Sequence, residues 1–265
     1  MRPKFTVIVP TYKRPTEVMR AVNSVLKQTY VDWRLYVVID DIESDYRELL
    51  TMPQHDSRIN VIRNECNLGK NYSINSVLEK LNTEEFDGYV VYLDDDDWLA
   101  PNCLRDYADE ISANSSLNWL VSNRVIESGG KLITKSKLGT GFIHYLRGNL
   151  LRRKIFGDAT HCIHFPSTRY CRYSTRIRNA EEWLYFAQIA VIHPHFKYLN
   201  STGTFTYGYG EGGLTAHQDD IRSLGRISTL FKETLAFKIL NPYVYIYLCG
   251  RTVKTLTFKL RRFFN

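Results

Sequence analysis

Four consecutive aspartates, Asp94 to Asp97, stand in "YVVYLDDDDWLAP" directly behind a run of aromatic and β-branched residues. Neighbouring carboxylates repel one another, and that repulsion costs free energy unless a cation sits among them. The run is therefore either a solvated turn or a metal site. A second acidic pair, Asp40 and Asp41, closes another apolar run, "WRLYVVIDD". Hard carboxylate oxygens gathered in a cleft suit Mg²⁺ or Mn²⁺. Histidine offers less. His161 and His164 lie three apart in an expected strand, so their side chains point to opposite faces and do not share an ion; a structural role is expected for both.

The elements that would position these acids follow from the hydrophobic pattern. "KFTVIVP", "WRLYVVID", "INVIRN" and "GYVVYL" read as buried strands. Between the first two, "PTEVMRAVNSVLKQ" places Val18, Val22, Val25 and Leu26 on one helical face, with Thr16 as its expected cap. "NLGKNYSINSVLEKL" supplies a turn at Asn67 to Gly69 and a helix with Ile74, Val77, Leu78 and Leu81 inward. Strands without alternation, separated by amphipathic helices, imply a mostly parallel α/β sheet covered on both faces. Ligands of such sheets sit beyond the carboxyl ends of the strands. Those ends carry Pro10, Thr11 and Tyr12, then Asp40 and Asp41, then the four aspartates. Asp97, four positions before Pro101, is expected to cap the following helix.

Composition narrows the field. The chain has 265 residues, 44% hydrophobic and 24% charged, enough for one well-buried domain and against disorder. Its five cysteines are irregularly spaced without a CxxC, which suggests neither a disulfide framework nor a zinc ribbon and fits a reducing cytosol. No stretch approaches the roughly 20 apolar residues of a membrane span, so a cytoplasmic protein, soluble or peripheral, is expected. The net charge of +7 is uneven. Between Ser128 and Gly157 there is no acid, but Lys131, Lys135, Lys137, Arg147, Arg152, Arg153 and Lys154 occur. Arg169, Arg172, Arg176 and Arg178 follow, and Arg251, Lys254, Lys259, Arg261 and Arg262 are unopposed after Pro242. A basic back half implies a phosphate-bearing partner or surface. Nucleic acid is not expected, since no recognised binding module is present.

"FTVIVPTYKRPTEVMRAVNSVLKQTY", "LYVVIDD", "NLGKNYSIN" and "VVYLDDDDWLAP", in that order and spacing, resemble the nucleotide-binding half of family 2 glycosyltransferases, which have the GT-A fold. The resemblance runs from about Phe5 to Leu104 and returns around Glu181 and Glu182. It implies a Rossmann-like central sheet with helices on both faces. Residues 1–104 would form the nucleotide-sugar half, residues 105–217 the acceptor half of the same domain, and residues 218–265 a helical basic and aromatic appendage. The appendage either packs on the domain or meets anionic lipid.

The same resemblance implies residue roles. Pro10 and Tyr12 would flank the base, with Thr11 between them, and Asp41 would accept the uracil N3 proton of a UDP-sugar. Asp94, Asp95 and Asp96 stand at the DxD position: Asp95 would face the ribose, and Asp96 with Asp94 would hold the Mn²⁺ or Mg²⁺ that bridges the donor phosphates. Lys70 either touches phosphate or is solvated. Where the family carries an arginine, Ile74 precedes Asn75 here, itself an expected donor-binding residue, which leaves Lys70 or Asn71 to make the missing contact. Inversion requires a carboxylate to take the acceptor proton; Glu182 is the expected base and Glu181 the alternative. His217 falls in a glycine-rich loop, Gly208 to Gly213, where related enzymes close a mobile segment over the donor and some supply a late metal ligand. The expected acceptor is a saccharide, either lipid-linked or phosphorylated, in lipopolysaccharide, O-antigen or capsule synthesis. Two other classes compete: a nucleotidyltransferase making an activated sugar, and a GT-A-like domain that binds without turnover. The first would need a glycine-rich loop after the first strand, and "PTYKRPTE" has none.

Overall fold

The computed structural model describes residues 2–128, 131–134, 140–152, 159–177, 182–207 and 224–264. Its centre is a parallel block of four strands: β1 (Phe5–Thr11), β2 (Trp33–Ile39), β3 (Ile59–Arg63) and β4 (Tyr89–Tyr92), in the order β3-β2-β1-β4. β1 and β2 run parallel from Phe5 opposite Trp33 to Thr11 opposite Ile39, and β4 flanks β1 on the other side, also parallel. Every residue of β1 is buried, which is why the strand shows no alternation. Parallel neighbours need long returns, and helices α1 (Pro15–Leu26) and α3 (Lys70–Thr83) supply two of them; the short helix α2 (Arg47–Thr51) lies in the third.

The inward faces of both long helices follow the periodicity. α1 buries Val18, Val22 and Val25, while Leu26 stays half-buried. α3 buries Ile74, Val77, Leu78 and Leu81. The expected Thr16 cap is not formed. Arg14 holds the capping position without a side-chain bond and Pro15 opens the helix. Proline takes over there because its missing N–H is one the first turn leaves unpaired anyway.

Beyond β4 the sheet continues as a mixed one. β5 (Asp97–Leu99) and helix α4 (Cys103–Ala113) lead to β6 (Trp119–Ser128), then β7 (Lys131–Thr134), β8 (Gly141–His144) and β9 (Thr160–His164). β9 runs antiparallel between β4 and β6. The long strand β10 (His195–Tyr207) runs parallel to β6 and antiparallel to β5 and β8. An unbroken parallel arrangement thus holds for the first four strands, and beyond them β6 and β10 form a further parallel pair within antiparallel neighbours. β6 and β7 are too close in sequence for a crossover and pair antiparallel, as a short connection requires.

A π-helical turn at Tyr145–Leu151 and helices α5 (Phe165–Thr168) and α6 (Glu182–Ile192) cover the second half. The C-terminal pair α7 (Leu224–Ala236) and α8 (Pro242–Phe264) forms the helical appendage. Leu230, Ile239, Val244 and Leu248 join the core cluster that holds Tyr145, Leu184 and Phe196. The appendage therefore packs on the domain. All five cysteines are free; Cys66 and Cys249 are exposed and the other three buried.

Candidate active site

Parallel alignment brings the carboxyl ends of β1, β2 and β4 to one edge, and there the acids collect. The two of the β2 pair differ in task. Asp40 is buried and accepts from the backbone N–H groups of Leu68 (2.8 Å) and Gly69 (2.7 Å) and from Asn64 Nδ2 (2.8 Å). It ties the turn before α3 to the end of β2. Gly69 sits at φ 93°, a left-handed conformation that glycine adopts without strain. Asp41 accepts from the N–H groups of Glu43 (2.9 Å) and Ser44 (3.3 Å). Burial raises the Asp41 pKa, but the hydrogen bonds from Ser44 and Glu43 outweigh it and hold the carboxyl below its usual range.

The four aspartates after β4 differ in their partners, Asp95 and Asp96 sharing Arg14. Asp95 accepts from Thr11 Oγ1 (2.9 Å), the Tyr12 N–H (3.4 Å) and Arg14 (3.1 Å). Burial pushes its carboxyl up to about 6, against the pull of Arg14. Asp96 is partly exposed and pairs with Arg14 at 2.7 Å; Arg20 donates to its backbone oxygen at 2.6 Å. Asp94 pairs with Lys70 at 2.7 Å, and the same ammonium reaches Glu182 Oε1 at 2.9 Å. Lys70 is thus not a solvated lysine: it bridges the acidic run to the first residue of α6. Burial lowers the Lys70 pKa, but the charges of Asp94 and Glu182 outweigh it and hold the pKa well above the usual lysine range. Partial burial similarly raises Asp94, and Lys70 more than reverses it.

Asp97 does not cap a helix. It opens β5, while α4 begins at Cys103 behind Asn102. Its carboxylate meets Arg124 of β6 at 2.9 Å, the two side chains being 7% and 6% exposed, and Arg124 also donates to Thr206 at 2.7 Å. The reason is topological, since β5 and β6 both lie beside β10. Burial raises the Asp97 carboxyl, the charges of Asp94 and Asp96 add to the rise, and the Arg124 guanidinium opposes it.

Asp94, Asp96 and Asp97 each offer an oxygen, and the three lie within 4.8 Å of one another. Three convergent hard oxygens fit a small divalent cation. Asp94 and Asp96 are partly exposed and share their cations, so they are the two able to turn toward an ion; Asp97 is held in its buried pair.

Lys70, Asp94, Asp97, Arg124 and Glu182 line one cavity of about 340 Å³, with Pro10, Trp183, Tyr247 and Asn149 also on the wall. Thr11 is occupied with Asp95, whereas the Tyr12 ring is 44% exposed at the same edge. Asn75 is engaged elsewhere: its amide donates to the Tyr173 carbonyl (2.8 Å) and accepts from the Tyr173 N–H (2.9 Å), which positions the segment before α6. Asn71 does the same for the carbonyls of Ser174 and Ile177.

His161 forms part of the cavity wall, its ring stacked on Phe186 at 3.9 Å. Its Nδ1 accepts from Trp119 Nε1 at 3.0 Å, which requires a neutral ring. His164 lies against Tyr89 instead, so the two histidines do not converge. Burial pushes His161 down to about 3. The folded state therefore refuses a proton that the unfolded chain takes up below about pH 6.5. Stability is expected to be insensitive to this group above that pH and to fall as pH drops from about 6.5 toward 3, by up to about 1.4 kcal/mol per pH unit. Urea unfolding across that window, compared with His161→Phe, should show the slope reduced in the variant; an unchanged slope would remove His161 from the account.

Arg172 pairs with Glu79 (2.7 Å) and Arg176 with the buried Glu233 (3.1 Å), so both serve ion pairs within the protein. Arg147 and Arg152 are exposed. Glu181, His217, the glycines from Gly208 to Gly213, Lys135, Lys137, Arg153, Lys154 and Arg178 lie outside the described residues. Three site residues escaped the sequence reading: Arg14, Arg20 and Arg124. For Arg124 a signal existed, since an arginine inside the apolar strand "NWLVSNRVIES" calls for a buried carboxylate partner.

The chain is similar to known proteins. The model of the family described as "Glycosyl transferase family 2" covers residues 6–173. WfgD of Escherichia coli, a UDP-Glc:alpha-D-GlcNAc-diphosphoundecaprenol beta-1,3-glucosyltransferase, is 33% identical over 138 residues, 50% of this chain and 52% of that protein. This chain therefore matches about half the length of that relative. WcaA of E. coli K12, a putative colanic acid biosynthesis glycosyl transferase, is 24% identical over 81% of this chain and 76% of its own. Among solved structures, S. aureus TarS 1-349 in complex with UDP-GlcNAc superposes with a TM-score of 0.69 at 18% identity, over 88% of this chain and 66% of that one.

Proposed function

Because the chain belongs to glycosyl transferase family 2 and has the GT-A fold, we propose that it is an inverting transferase. It moves a sugar from a UDP-sugar to a saccharide acceptor in the synthesis of a cell-surface polysaccharide. One observation carries the reading: Lys70 joins Asp94 of the acidic run to Glu182 across a single cavity, so a carboxylate able to take a proton stands within one side chain of the carboxylates suited to a diphosphate.

In this reading the exposed Tyr12 ring and Pro10 flank the uracil, and Asp41, fixed by its two backbone N–H donors, accepts the N3 proton. Asp95 holds the β1 loop through Thr11 and Arg14 and stands next to the ribose. Asp94 and Asp96 would hold Mn²⁺ or Mg²⁺, which would supply neutralisation of the charge on the departing diphosphate. Glu182 takes the proton of the acceptor hydroxyl as that oxygen bonds to the anomeric carbon. The bond from that carbon to the diphosphate oxygen breaks, and UDP leaves with the electron pair. Lys70 holds Glu182 at the cavity through their 2.9 Å contact. The acceptor is lipid-linked through a diphosphate, as in the name of WfgD, and the protein meets the cytoplasmic face of an anionic membrane peripherally. No helix among the described residues is long and apolar enough to cross a membrane.

Asp96→Asn tests the metal half. Its pair with Arg14 is 45% exposed on the aspartate side and is worth about 1 kcal/mol or less, so the melting temperature should barely move. Metal-dependent transfer from a UDP-sugar should fall by about 10²–10³-fold, the size seen when one transition-state charge stabiliser is lost. Full activity would overturn the ligand assignment. Assaying wild type for metal-dependent hydrolysis of a panel of nucleotide sugars separates this reading from a nucleotidyltransferase and from a domain without turnover.

A further inference from the structure

We propose that the outer face of α8 is the surface on which the protein docks to an anionic lipid membrane; this deepens the membrane contact proposed above and rests on it. The helix is apolar on two opposite sides. Its inner side is fully used: Val244 and Leu248 are buried, as is Thr255, Tyr243 packs against His144, and Tyr247 packs against Trp183 at 5.0 Å in the cavity wall. At about 100° per residue, Val244, Leu248 and Thr255 share one narrow arc. Ile246, Val253, Leu256 and Leu260 fall together on the far side, and their exposures run from 43% to 61%.

A helix buried on one side against its own domain is ordinarily polar on the other. Here the second side repeats the apolar pattern over about four turns, with nothing of the described chain covering it.

Charge selects the occupant. Glu233 is the last acid of the chain, and Lys238, Arg251, Lys254, Lys259, Arg261 and Arg262 follow it. Lys254 is exposed and lies between the inner and outer apolar sides on the helical wheel. An exposed apolar stripe on a helix that carries no acid, with the exposed Lys254 on its flank, complements a surface of acyl chains beneath anionic headgroups. A second copy of the same chain fits poorly, because an isologous contact would bring the two acid-free helices together and set like charges side by side. The 23 residues of α8 would lie in the plane of the interface. The same helix carries Tyr247 into the cavity wall, so docking would also orient the cavity relative to the membrane.

The test uses the full chain and its Val253→Ser/Leu256→Ser variant. Both positions are exposed and neither belongs to the catalytic machinery. Wild type is expected to co-sediment with phosphatidylcholine vesicles containing phosphatidylglycerol and not with phosphatidylcholine alone. The variant should bind about tenfold more weakly or worse, and added salt should weaken the wild type. Transfer to a short soluble acceptor should be equal in both proteins. Unchanged vesicle binding in the variant overturns the proposal. So does a wild-type dimer that the variant dissociates, without vesicle binding. Transfer without vesicle binding defeats this surface and leaves the transferase standing; vesicle binding without donor turnover in wild type defeats the transferase and leaves the surface.

Discussion

Glu182→Gln is expected to lower the transfer rate by about 10²–10⁴-fold, the range that loss of a general base produces, with the dissociation constant for the nucleotide sugar unchanged. The amide is close to isosteric and still offers an oxygen to Lys70, whose ammonium lies 2.9 Å from the carboxylate, but it cannot take a proton. Geometry and donor site are retained while the proton acceptor is lost, so the defect belongs in kcat and not in ground-state binding. Single-turnover transfer and calorimetric titration of UDP-sugar measure the two quantities separately. If Glu182→Gln keeps its rate and Glu181→Gln loses it, the base lies one residue earlier.

The second large effect concerns stability. Arg124→Met should cost about 3–5 kcal/mol, because it leaves the Asp97 carboxylate buried beside Asp94 and Asp96 with its cation gone. Against a typical total of about 5–15 kcal/mol this is a large share. The double variant Arg124→Met/Asp97→Leu should recover most of the loss, since replacing both charges of a buried pair by apolar groups is often close to neutral. Denaturant unfolding of the wild type, the single variant and the double variant reads the coupling directly. An Arg124→Met protein as stable as wild type would mean that Asp97 is relieved in another way, and the buried pair would lose its place in the account of the acidic run.

Taken together, these expectations answer why four aspartates stand in a row. Sequence reading offered a solvated turn or a metal. The folded chain already supplies three cations, Lys70, Arg14 and Arg124, to Asp94, Asp96 and Asp97. The two weaker, partly exposed arrangements are the ones a divalent ion could share, and the buried one is structural.

The amino-acid sequence by itself determined the four parallel strands, the inward faces of α1 and α3, the edge at which the acids collect, and the family. These follow from signals within short windows: uninterrupted β-branched runs, a 3.6-residue period, and a glycine where the turn before α3 needs positive φ. It did not determine who meets whom at that edge. Lys70 and Glu182 are 112 residues apart, Arg14 and Asp95 are 81 apart, and Arg124 reaches Asp97 only because β5 and β6 flank β10. The choices that assigned Asn75 to a backbone segment, Arg172 to Glu79, Arg176 to the buried Glu233, and one side of α8 to the core were likewise made by tertiary structure. An ion pair or a packed face has no period of its own along the chain. Its partner is set by strand order and by how much water the finished fold excludes, and both exist only once the sheet has formed.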